Sequence, residues 1–540
     1  MLPAADRYDD LLSRFAWNVA DRYNIGMDVC DKWADGSGRL ALIHETTQGD
    51  VSHLTFDDLR NASNRLANSF ARAGLQRGDR VASLCANSYR YVIAMFGIQK
   101  AGLVWVPINT MITPGDVAYI VEHSEAKLIV IDAGFYADPT MRDALRSAGK
   151  PIVVVSAGEA APEGTFEFDA FGAGGAENEP DVAIADRDPA LIMYTSGTTG
   201  RPKGVVHTHL AVCIAALSNA ADLSVSERDV VVQLMPLFHC AQHTLLMTTL
   251  QMSATAILMR GFEPLRVMAA IAEERVTFVF MLPAMWAAVV DHPRRAEFDF
   301  SSLRLGMYAM APISEPLLRR LIAEICPNFC LSSGQTEIYP ATVTFKPEEQ
   351  LRRFGPYWGT SSPVNETAIM DDEGRLLAPG EVGEIVHRGP NVMVGYFKDP
   401  DATAASRRFG WHHTGDLGMF DADGQLLFMD RKKDMIKSGG ENVASVKVES
   451  ALLAHPSVAS AAVVGLPHPH WGEAVSAFVA CKPGHTVTEA ELVEHCRARL
   501  GGFETPKAVR VLDAMPMTAT GKVRKNVLRD THQDLYAGAR

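Results

Sequence analysis

The length of the chain, 540 residues, exceeds one ordinary hydrophobic core and predicts about two to four structural units. A hydrophobic fraction of 47% and a charged fraction of 21% are typical of a globular protein, and a formal net charge of −13 argues against nucleic acid or an anionic membrane as the main partner. The apolar runs are too short to span a bilayer, so we expect a cytoplasmic protein without a transmembrane segment.

Strands and helices are predicted to alternate over the first part of the chain. In chain order, the first strong element is a helix that begins at Thr55 with a capping box to Asp58 and ends at Gly74. Apolar runs then predict strands near residues 80–84, 104–108, 128–131, 152–155, 230–234, 256–259 and 276–281, with helices near 91–100 and 263–274. This alternation is typical of parallel sheets covered by helices.

The pattern changes near Phe345. Turn signals at 372–374 and 423–424 separate strand-like runs and predict an antiparallel or barrel-like unit over about residues 345–430. After the charged segment 430–434, the chain predicts helix, strand, strand, helix and strand up to Val511. We therefore divide the chain into residues 1–432 and a small α+β domain, 433–540, with the boundary at Lys433.

A loop rich in glycines and hydroxyl groups follows the apolar run 191–193. Residues 194–204 read Tyr-Thr-Ser-Gly-Thr-Thr-Gly-Arg-Pro-Lys-Gly. Glycines allow backbone N–H groups to approach an anion, hydroxyls donate to phosphate oxygens, and Lys203 supplies positive charge. The loop therefore predicts a nucleoside triphosphate.

This loop differs from the P-loop of many ATPases and kinases. In that motif the lysine is followed by serine or threonine at the start of a helix, whereas here Pro202 precedes Lys203 and Gly204 follows it. Because proline lacks an N–H and disfavours helical geometry in the residue before it, we expect the chain to stay extended through Lys203.

Three further clusters fit nucleotide chemistry. Residues 334–337, Gly-Gln-Thr-Glu, place a carboxylate beside a hydroxyl, which suits a magnesium ion that bridges phosphates. Residues 413–416, His-Thr-Gly-Asp, place a carboxylate in a tight turn, where it can accept hydrogen bonds from ribose hydroxyls. Residues 518–522 carry Lys522 in a loop near the C-terminus. Each cluster alone is equally consistent with a polar turn, but together with the glycine-rich loop they predict a nucleotide site.

These motifs, in this order, resemble the adenylate-forming superfamily of acyl-CoA synthetases, luciferases and peptide-synthetase adenylation domains. The matching stretches are 194–204, 236–239, 334–337, 380–395, 414–416, 430–443 and 520–522. The resemblance implies an α/β fold in which a large N-terminal domain has two helix-covered sheets and a distorted β-barrel. It also implies a small, mobile α+β C-terminal domain that rotates about a hinge at Lys433.

The implied reaction has two steps: a carboxylic acid and ATP give an acyl-adenylate and pyrophosphate, and the thiol of CoA then displaces AMP. By the resemblance, Glu337 binds Mg²⁺, Thr336 contacts the α-phosphate, and Asp416 and Arg431 hold the ribose. The β- and γ-phosphates would be held by Lys203 and by loop residues, and the nucleotide would also contact two residues beside Thr336. These are Thr195, Ser196, Gly197, Thr198 and Thr199 in the loop, and Gly334 and Gln335 beside Thr336.

The resemblance also implies how the second step is separated from the first. Lys522, on the mobile domain, would bridge the α-phosphate and the acyl carboxylate during adenylation. Rotation at Lys433 would withdraw it and present a glycine-containing segment to CoA, since glycines let the thiol arm pass close to backbone. That segment is Lys437, Ser438, Gly439 and Gly440. His239 would gate the acyl pocket from the thiol channel.

The acid is predicted from residues near the implied acyl pocket. Many relatives have paired glycines before the Ala-Pro at 311–312, whereas this chain has Met310, which would fill part of the pocket floor. With Met281 also near, we expect a short-chain, medium-chain or compact aryl acid. Transfer of the acyl group to a carrier-protein thiol or another acceptor remains the alternative, and a homodimer is compatible with the sequence.

Overall fold

The computed structural model describes residues 7, 10, 14, 22–46, 51–156, 159–195, 201–309, 313–517 and 523–538. The protein is a mixed α/β structure with large N-terminal sheets and a smaller C-terminal unit. Its strands are β1 Leu40–Glu45, β2 Val51–Thr55, β3 Arg80–Leu84, β4 Val104–Pro107, β5 Ala126–Asp132, β6 Ile152–Val155, β7 Phe166–Glu167, β8 Pro189–Thr195, β9 Lys203–Thr208, β10 Val230–Gln233, β11 Thr255–Met259, β12 Phe278–Phe280, β13 Leu305–Tyr308, β14 Phe329–Gln335, β15 Ile338–Phe345, β16 Tyr357–Ser361, β17 Glu366–Met370, β18 Gly383–Arg388, β19 Gly395–Tyr396, β20 His412–Phe420, β21 Leu426–Arg431, β22 Ile436–Ser438, β23 Glu441–Val443, β24 Val458–His468, β25 Gly472–Cys481 and β26 Ala508–Val511.

Helices cover and connect these strands. They are α1 Ile25–Cys30, α2 Phe56–Arg72, α3 Tyr89–Lys100, α4 Pro114–His123, α5 Ala133–Tyr136, α6 Pro139–Ser147, α7 Phe168–Ala173, α8 His209–Leu223, α9 Cys240–Gln251, α10 Pro264–Glu273, α11 Pro283–Val290, α12 Glu315–Glu324, α13 Pro400–Ala405, α14 Ser445–Leu453, α15 Glu489–Arg497 and α16 Lys525–His532. Within the described part of the chain, none of them has the length and apolar character needed to cross a membrane.

The long helix α2 forms where its capping residues predict it. The Thr55 hydroxyl accepts a hydrogen bond from the Asp58 N–H, and the Asp58 carboxylate accepts one from the Thr55 N–H. Leu66 and Phe70 are fully buried on one face of the helix. The chain leaves the helix through Gly74, whose φ of 85° lies in the left-handed region that favours glycine.

One sheet has eight strands in the order β19-β9-β8-β4-β3-β5-β6-β7. Strands β3 to β6 pair in parallel, as their alternation with helices predicts. Successive residues Trp105 and Val106 of β4 belong to two different buried clusters, so both faces of this sheet are covered.

A second sheet has thirteen strands in the order β17-β18-β20-β21-β16-β15-β14-β13-β12-β10-β11-β1-β2. From β1 through β11, β10, β12 and β13 to β14 every pairing is parallel, and from β14 onward every pairing is antiparallel. The predicted antiparallel unit is therefore present, starting at Ile338. Its strands form an open path, and no pairing among the described strands closes them into a barrel.

The C-terminal unit is a small sheet of order β23-β22-β25-β24, with β26 paired to β25 and helices α14, α15 and α16. The predicted succession of helix, strand, strand, helix and strand corresponds to α14, β24, β25, α15 and β26. The short hairpin β22–β23 and the last helix, α16, are elements that the sequence pattern did not predict.

The segments before and after Lys433 share a buried hydrogen bond but have separate apolar clusters. The Asp430 carboxylate accepts a hydrogen bond from the Ser445 N–H across this boundary, whereas the ion pair between Arg529 and Asp434, at 2.7 Å, lies wholly within the segment after it. Each buried apolar cluster of the described residues lies wholly on one side of Lys433. This separation of cores supports the boundary at Lys433, which stays a prediction together with the domain limits.

Candidate active site

The strands on the two sides of the glycine-rich loop form an antiparallel pair. Strands β8 and β9 pair antiparallel with Thr195 opposite Lys203 and Tyr194 opposite Gly204. The expectation that the chain stays extended at Lys203 is confirmed, because β9 begins at that residue. Four of the predicted phosphate contacts, Ser196, Gly197, Thr198 and Thr199, lie outside the described residues.

The base of this hairpin is held by α4. The Tyr194 hydroxyl and His123 Nδ1 share a hydrogen bond of 2.8 Å. The Arg201 guanidinium lies over the Tyr119 ring, 4.9 Å from its centroid. Tyr194 and Arg201, on the two sides of the loop, therefore both contact α4, and these contacts help to fix the position of the nearby Lys203.

Lys203 and Glu337, far apart in sequence, meet around one tyrosine. Lys203 Nζ lies 4.9 Å from the centre of the Tyr396 ring and 3.9 Å from the Asp399 carboxylate. The Tyr396 hydroxyl donates a hydrogen bond of 3.0 Å to Glu337 Oε1. Burial, with the nearby Glu337 charge, raises the pKa of Tyr396, so this phenol is a neutral donor near neutral pH.

A second carboxylate lies on the other side of the Gly334–Glu337 segment. Gln335 Nε2 donates to Asp416 Oδ2 at 2.8 Å and to the Thr414 carbonyl at 3.1 Å. Arg431 is the strand partner of Asp416, with Nε 3.5 Å from Asp416 Oδ1. The structure therefore brings together the residues predicted to bind ribose, with Asp416 buried and the Arg431 side chain 44% exposed.

Asp416 lies within strand β20 and not in the predicted tight turn, and a glutamate that sequence reasoning missed holds this part of the strand. Glu384 accepts a hydrogen bond from the Gly415 N–H at 3.0 Å, and it pairs with His413 at 3.1 Å and Lys432 at 3.3 Å. Although burial alone would raise the pKa of Glu384, the His413 and Gly415 hydrogen bonds hold it below its usual range. The sequence around Glu384 contains no motif that marks this role. The partners of Glu384 come from β20 and from the segment after β21, so they are apparent only once these strands pair.

Thr336 is fixed by a buried histidine. His207 Nε2 lies 2.6 Å from the Thr336 carbonyl oxygen, and the Thr336 hydroxyl lies 3.5 Å from Cys240 Sγ. Burial lowers the pKa of His207 to about 4, so its neutral ring donates Nε2–H to this carbonyl. Gly334 is required nearby, since a Cβ there would lie 2.9 Å from Pro340 Cα.

His239 caps the helix that follows the 236–239 motif. It is the N-cap residue of α9, and its Nδ1 accepts a hydrogen bond from the Ala241 N–H at 3.3 Å. The next residue, Cys240, contacts Thr336, so His239 lies close to the Gly334–Glu337 segment. The position is compatible with the predicted gate, and that role stays a prediction.

Of the two methionines predicted to line the acyl pocket, one is buried in a core cluster and the other lies outside the described residues. Met281 is fully buried in the cluster that contains Trp286, whose indole N–H donates to the Met307 carbonyl. Met310 lies outside the described residues. Ala309, just before it, is buried in the cluster that also contains residues of α8, α9, β10 and β12 to β14.

The predicted CoA segment is a two-residue hairpin. Gly439 and Gly440, with φ of 62° and 91°, connect β22, which holds Lys437 and Ser438, to β23. A Cβ on Gly439 would lie 2.7 Å from the ring of Trp471, a residue that sequence reasoning missed. Trp471 is 37% exposed, and Lys507 Nζ lies 5.2 Å from its ring centre.

The two lysines assigned to domain rotation lie on either side of this hairpin in sequence. Lys433 lies in the turn after β21, where partial desolvation of its side chain lowers its pKa. Lys522 lies outside the described residues, but the flanking residues Met517 and Val523 form an antiparallel bridge. The loop that contains Lys522 therefore begins and ends at one point of the C-terminal unit.

These contacts define a class of protein. One four-residue segment, Gly334–Glu337, has a buried carboxylate and an arginine at one end and a lysine-bearing hairpin at the other, which suits the ribose and the phosphates of one nucleotide. The protein is a nucleotide-using α/β enzyme.

Two family models match the chain: AMP-binding enzyme over residues 31–397 and AMP-binding enzyme C-terminal domain over residues 447–522. The chain therefore belongs to the AMP-binding enzyme family. It is 37% identical over 481 residues to a feruloyl-CoA synthase of an Amycolatopsis species, covering 88% of this chain and 93% of that protein. It is 34% identical over 490 residues to the long-chain-fatty-acid–CoA ligase FadD13 of Mycobacterium tuberculosis, covering 89% and 93%.

Solved structures agree with the fold. The crystal structure of ATP-bound MatB from Rhodopseudomonas palustris superposes with a TM-score of 0.85 at 28% identity, over 95% of this chain and all of that one. The predicted superfamily, the mixed α/β fold and the predicted class of enzyme, an acyl-CoA synthetase, are thus confirmed.

Proposed function

We propose that this protein is an ATP-dependent acyl-CoA ligase that acts on a compact aryl or a short- to medium-chain carboxylic acid. The observation that carries the proposal is the Gly334–Glu337 segment, which contacts Asp416 through Gln335 and reaches Lys203 through Glu337 and Tyr396. A carboxylate for ribose and a lysine for phosphates at the two ends of one segment suit ATP bound across it.

In the first step an oxygen of the acid attacks the α-phosphorus of ATP, the bond to pyrophosphate breaks, and an acyl-adenylate forms. Lys203 and Thr195 would restrain the departing pyrophosphate, and Thr336 would contact the α-phosphate. Asp416 and Arg431 would hold the ribose, and Lys522 would neutralise the charge that develops at the α-phosphate.

Magnesium fits the residues that are present. Glu337 accepts its described hydrogen bond through Oε1 from Tyr396, and a carboxylate with two oxygens can serve a donor and a cation together. Glu337 would therefore hold Mg²⁺. The ion would supply charge neutralisation at the phosphates.

In the second step the CoA thiol attacks the acyl carbon, its proton is released, and AMP leaves. The Gly439–Gly440 turn would let the pantetheine arm pass close to backbone. Trp471 beside it offers an exposed aromatic face and Lys507 a nearby positive charge, which suit the CoA nucleotide.

Acid-dependent ATP–pyrophosphate exchange, followed by detection of the CoA thioester, tests this function. We would compare cinnamate- and benzoate-type acids with short, medium and long alkanoates. The proposal predicts exchange only when an acid is present, the highest rates with compact acids, and a thioester with CoA. Exchange without any acid would contradict the ligase, and adenylate formed without CoA thioester would favour a carrier-protein or other acceptor.

Replacing Asp416 by asparagine is expected to weaken ATP binding. The substitution removes the charge that Gln335 and Arg431 contact, and loss of a charged hydrogen-bond partner costs roughly 1.5 to 3 kcal/mol, so KM for ATP should rise about tenfold or more. Asp421→Asn is the matched control, because Asp421 pairs with Arg353 at 2.8 Å at the far end of the same β20–β21 hairpin. Equal changes in both variants would argue against a ribose site at Asp416.

Replacing Trp471 by alanine is expected to affect the second half-reaction. Loss of a stacking face should raise KM for CoA by about tenfold, while ATP–pyrophosphate exchange stays unchanged. Phe354→Ala is the control, since Phe354 is also exposed, at 41%, with Arg319 5.4 Å from its ring centre. An unchanged KM for CoA in Trp471→Ala would refute the CoA contact.

A further inference from the structure

A buried asparagine, Asn87, links the two sheets next to the 236–239 motif. It lies in the loop between β3 and α3 and is 5% exposed. Its Nδ2 lies within hydrogen-bond distance of three carbonyl oxygens: those of Met235 at 2.9 Å, Met259 at 3.2 Å and Gln233 at 3.3 Å. Its Oδ1 accepts from the Leu237 N–H at 2.9 Å.

These partners have a common place in the fold. Gln233 and Met259 are the last residues of the neighbouring parallel strands β10 and β11 of the thirteen-stranded sheet, whereas Asn87 follows β3 of the eight-stranded sheet. The carboxyl ends of parallel strands are where α/β enzymes bind their ligands. Asn87 therefore fixes the two sheets relative to each other at that edge.

The loop that carries Asn87 is itself held. The Ala86 N–H donates to Asp132 Oδ2 at 2.9 Å, and Asp132, the last residue of β5, also pairs with Arg260 at 2.9 Å. Ser88 caps α3 by accepting from the Tyr91 N–H. With its neighbours on both sides anchored, the Asn87 amide has little freedom to reorient.

Asn87 and one other amide fix the backbone that leads to His239. Gln242 Oε1 accepts from the Met235 N–H at 2.9 Å, so Met235 is held through its N–H by Gln242 and through its carbonyl by Asn87. Leu237 is held by Asn87, and the His239 N–H donates to the Pro236 carbonyl at 3.0 Å. The backbone from Met235 to His239 is thus a short segment in which Met235, Leu237 and His239 each make a hydrogen bond that holds it in place.

We propose that Asn87 is the positioning residue for His239, and that through His239 it sets acid binding and thioester formation while leaving ATP binding unchanged. The proposal rests on the proposed ligase function. Asp at this position would keep the acceptor for Leu237 but would turn a carboxylate toward three carbonyl oxygens, which displaces the 235–239 segment. Ser would keep one donor and is the milder change.

A double-mutant cycle with His239→Ala tests the coupling. In the full-length enzyme, N87D is expected to raise KM for the acid about tenfold and to slow thioester formation about tenfold. N87S should change both quantities about threefold. In both variants KM for ATP should stay within about twofold of wild type. In the His239→Ala background the same substitutions should add less than about twofold. The proposal would be overturned if N87D and N87S changed KM for the acid and the rate of thioester formation by the same factors in the wild-type and the His239→Ala backgrounds.

The matched control is N24D. Asn24 is 6% exposed, donates to the Gln99 carbonyl at 2.9 Å and accepts from the Gly26 N–H at 2.9 Å, and neither of these partners belongs to the 236–239 motif. It should lower stability without changing KM for the acid, and the same KM change in N24D would overturn the proposal. A wild-type enzyme without acid-dependent exchange would instead refute the ligase function itself.

Discussion

Replacing Lys522 by alanine should abolish adenylate formation and leave thioester formation from a supplied acyl-adenylate largely intact. The lysine would stabilise charge that develops at the α-phosphate only in the first step, so its loss should lower acid-dependent ATP–pyrophosphate exchange at least about a hundredfold. In the second step the C-terminal unit would have rotated at Lys433, which removes Lys522 from the reacting atoms.

The structure around the loop makes this variant interpretable. Met517 and Val523 pair at the base of the loop, and Lys525 contacts Glu449 at 2.7 Å and Ser445 at 2.7 Å, so described residues on both sides of Lys522 hold the loop to the C-terminal unit. Lys482→Ala, at an exposed lysine after β25, is the control for loss of charge on this unit. Equal loss of both half-reactions in Lys522→Ala would contradict the rotation model.

Acid is expected to unfold the protein well above the pH at which carboxylates titrate. Six histidines are at most 6% exposed, and burial lowers their pKa: to about 4 for His44, His207, His209 and His412, and to about 3 for His243 and His387. They are neutral in the folded protein, whereas in the unfolded chain a histidine has a pKa of about 6.5.

The neutral buried histidines make the free energy of unfolding depend on pH. Between about pH 6.5 and pH 4 the unfolded state binds more protons than the folded state, so the free energy of unfolding falls as pH falls. Each such histidine contributes about 1.4 kcal/mol per pH unit inside this window. Because a typical stability is only about 5 to 15 kcal/mol, six together should exceed it within roughly two pH units below neutrality.

Urea unfolding at a series of pH values checks this expectation. Asp132, which is buried, and Asp222, which is partly buried, have a pKa raised by burial; they act in the opposite direction but titrate at lower pH in the unfolded chain. His412→Phe should make the decline shallower by about one proton, since a titrating group is removed. His485→Gln, at an exposed position, should leave the curve unchanged. A stability that is flat from pH 7 to pH 5 would contradict the prediction.

The sequence predicts best where the signal is local. The capping box at Thr55, the strand β3 and the extended geometry at Lys203 depend on neighbouring residues, and all three are present as expected. Asp416 and Arg431 could be assigned because each stands in a distinctive motif, and strand pairing then places them side by side.

Residues that act across long sequence separations could not be predicted in this way. Tyr396 lies in a two-residue strand that pairs with β9 nearly two hundred residues earlier, and only this pairing brings it between Lys203 and Glu337. Asn87 has ordinary local chemistry, and its importance comes from two sheets that meet. Likewise, the sequence pattern predicts that Met281 is buried, but which buried cluster it joins depends on how the elements pack.

The separation of buried clusters on either side of Lys433 has a thermodynamic consequence. Apolar burial is the main favourable term in folding, and each buried apolar cluster of the described residues lies wholly before or wholly after Lys433. The hydrogen bond from the Ser445 N–H to Asp430 is a polar contact that joins the two segments. We therefore expect the two predicted units to unfold in separate cooperative transitions. If they do, the proposed rotation at Lys433 would change how the units dock at little cost to the stability of either.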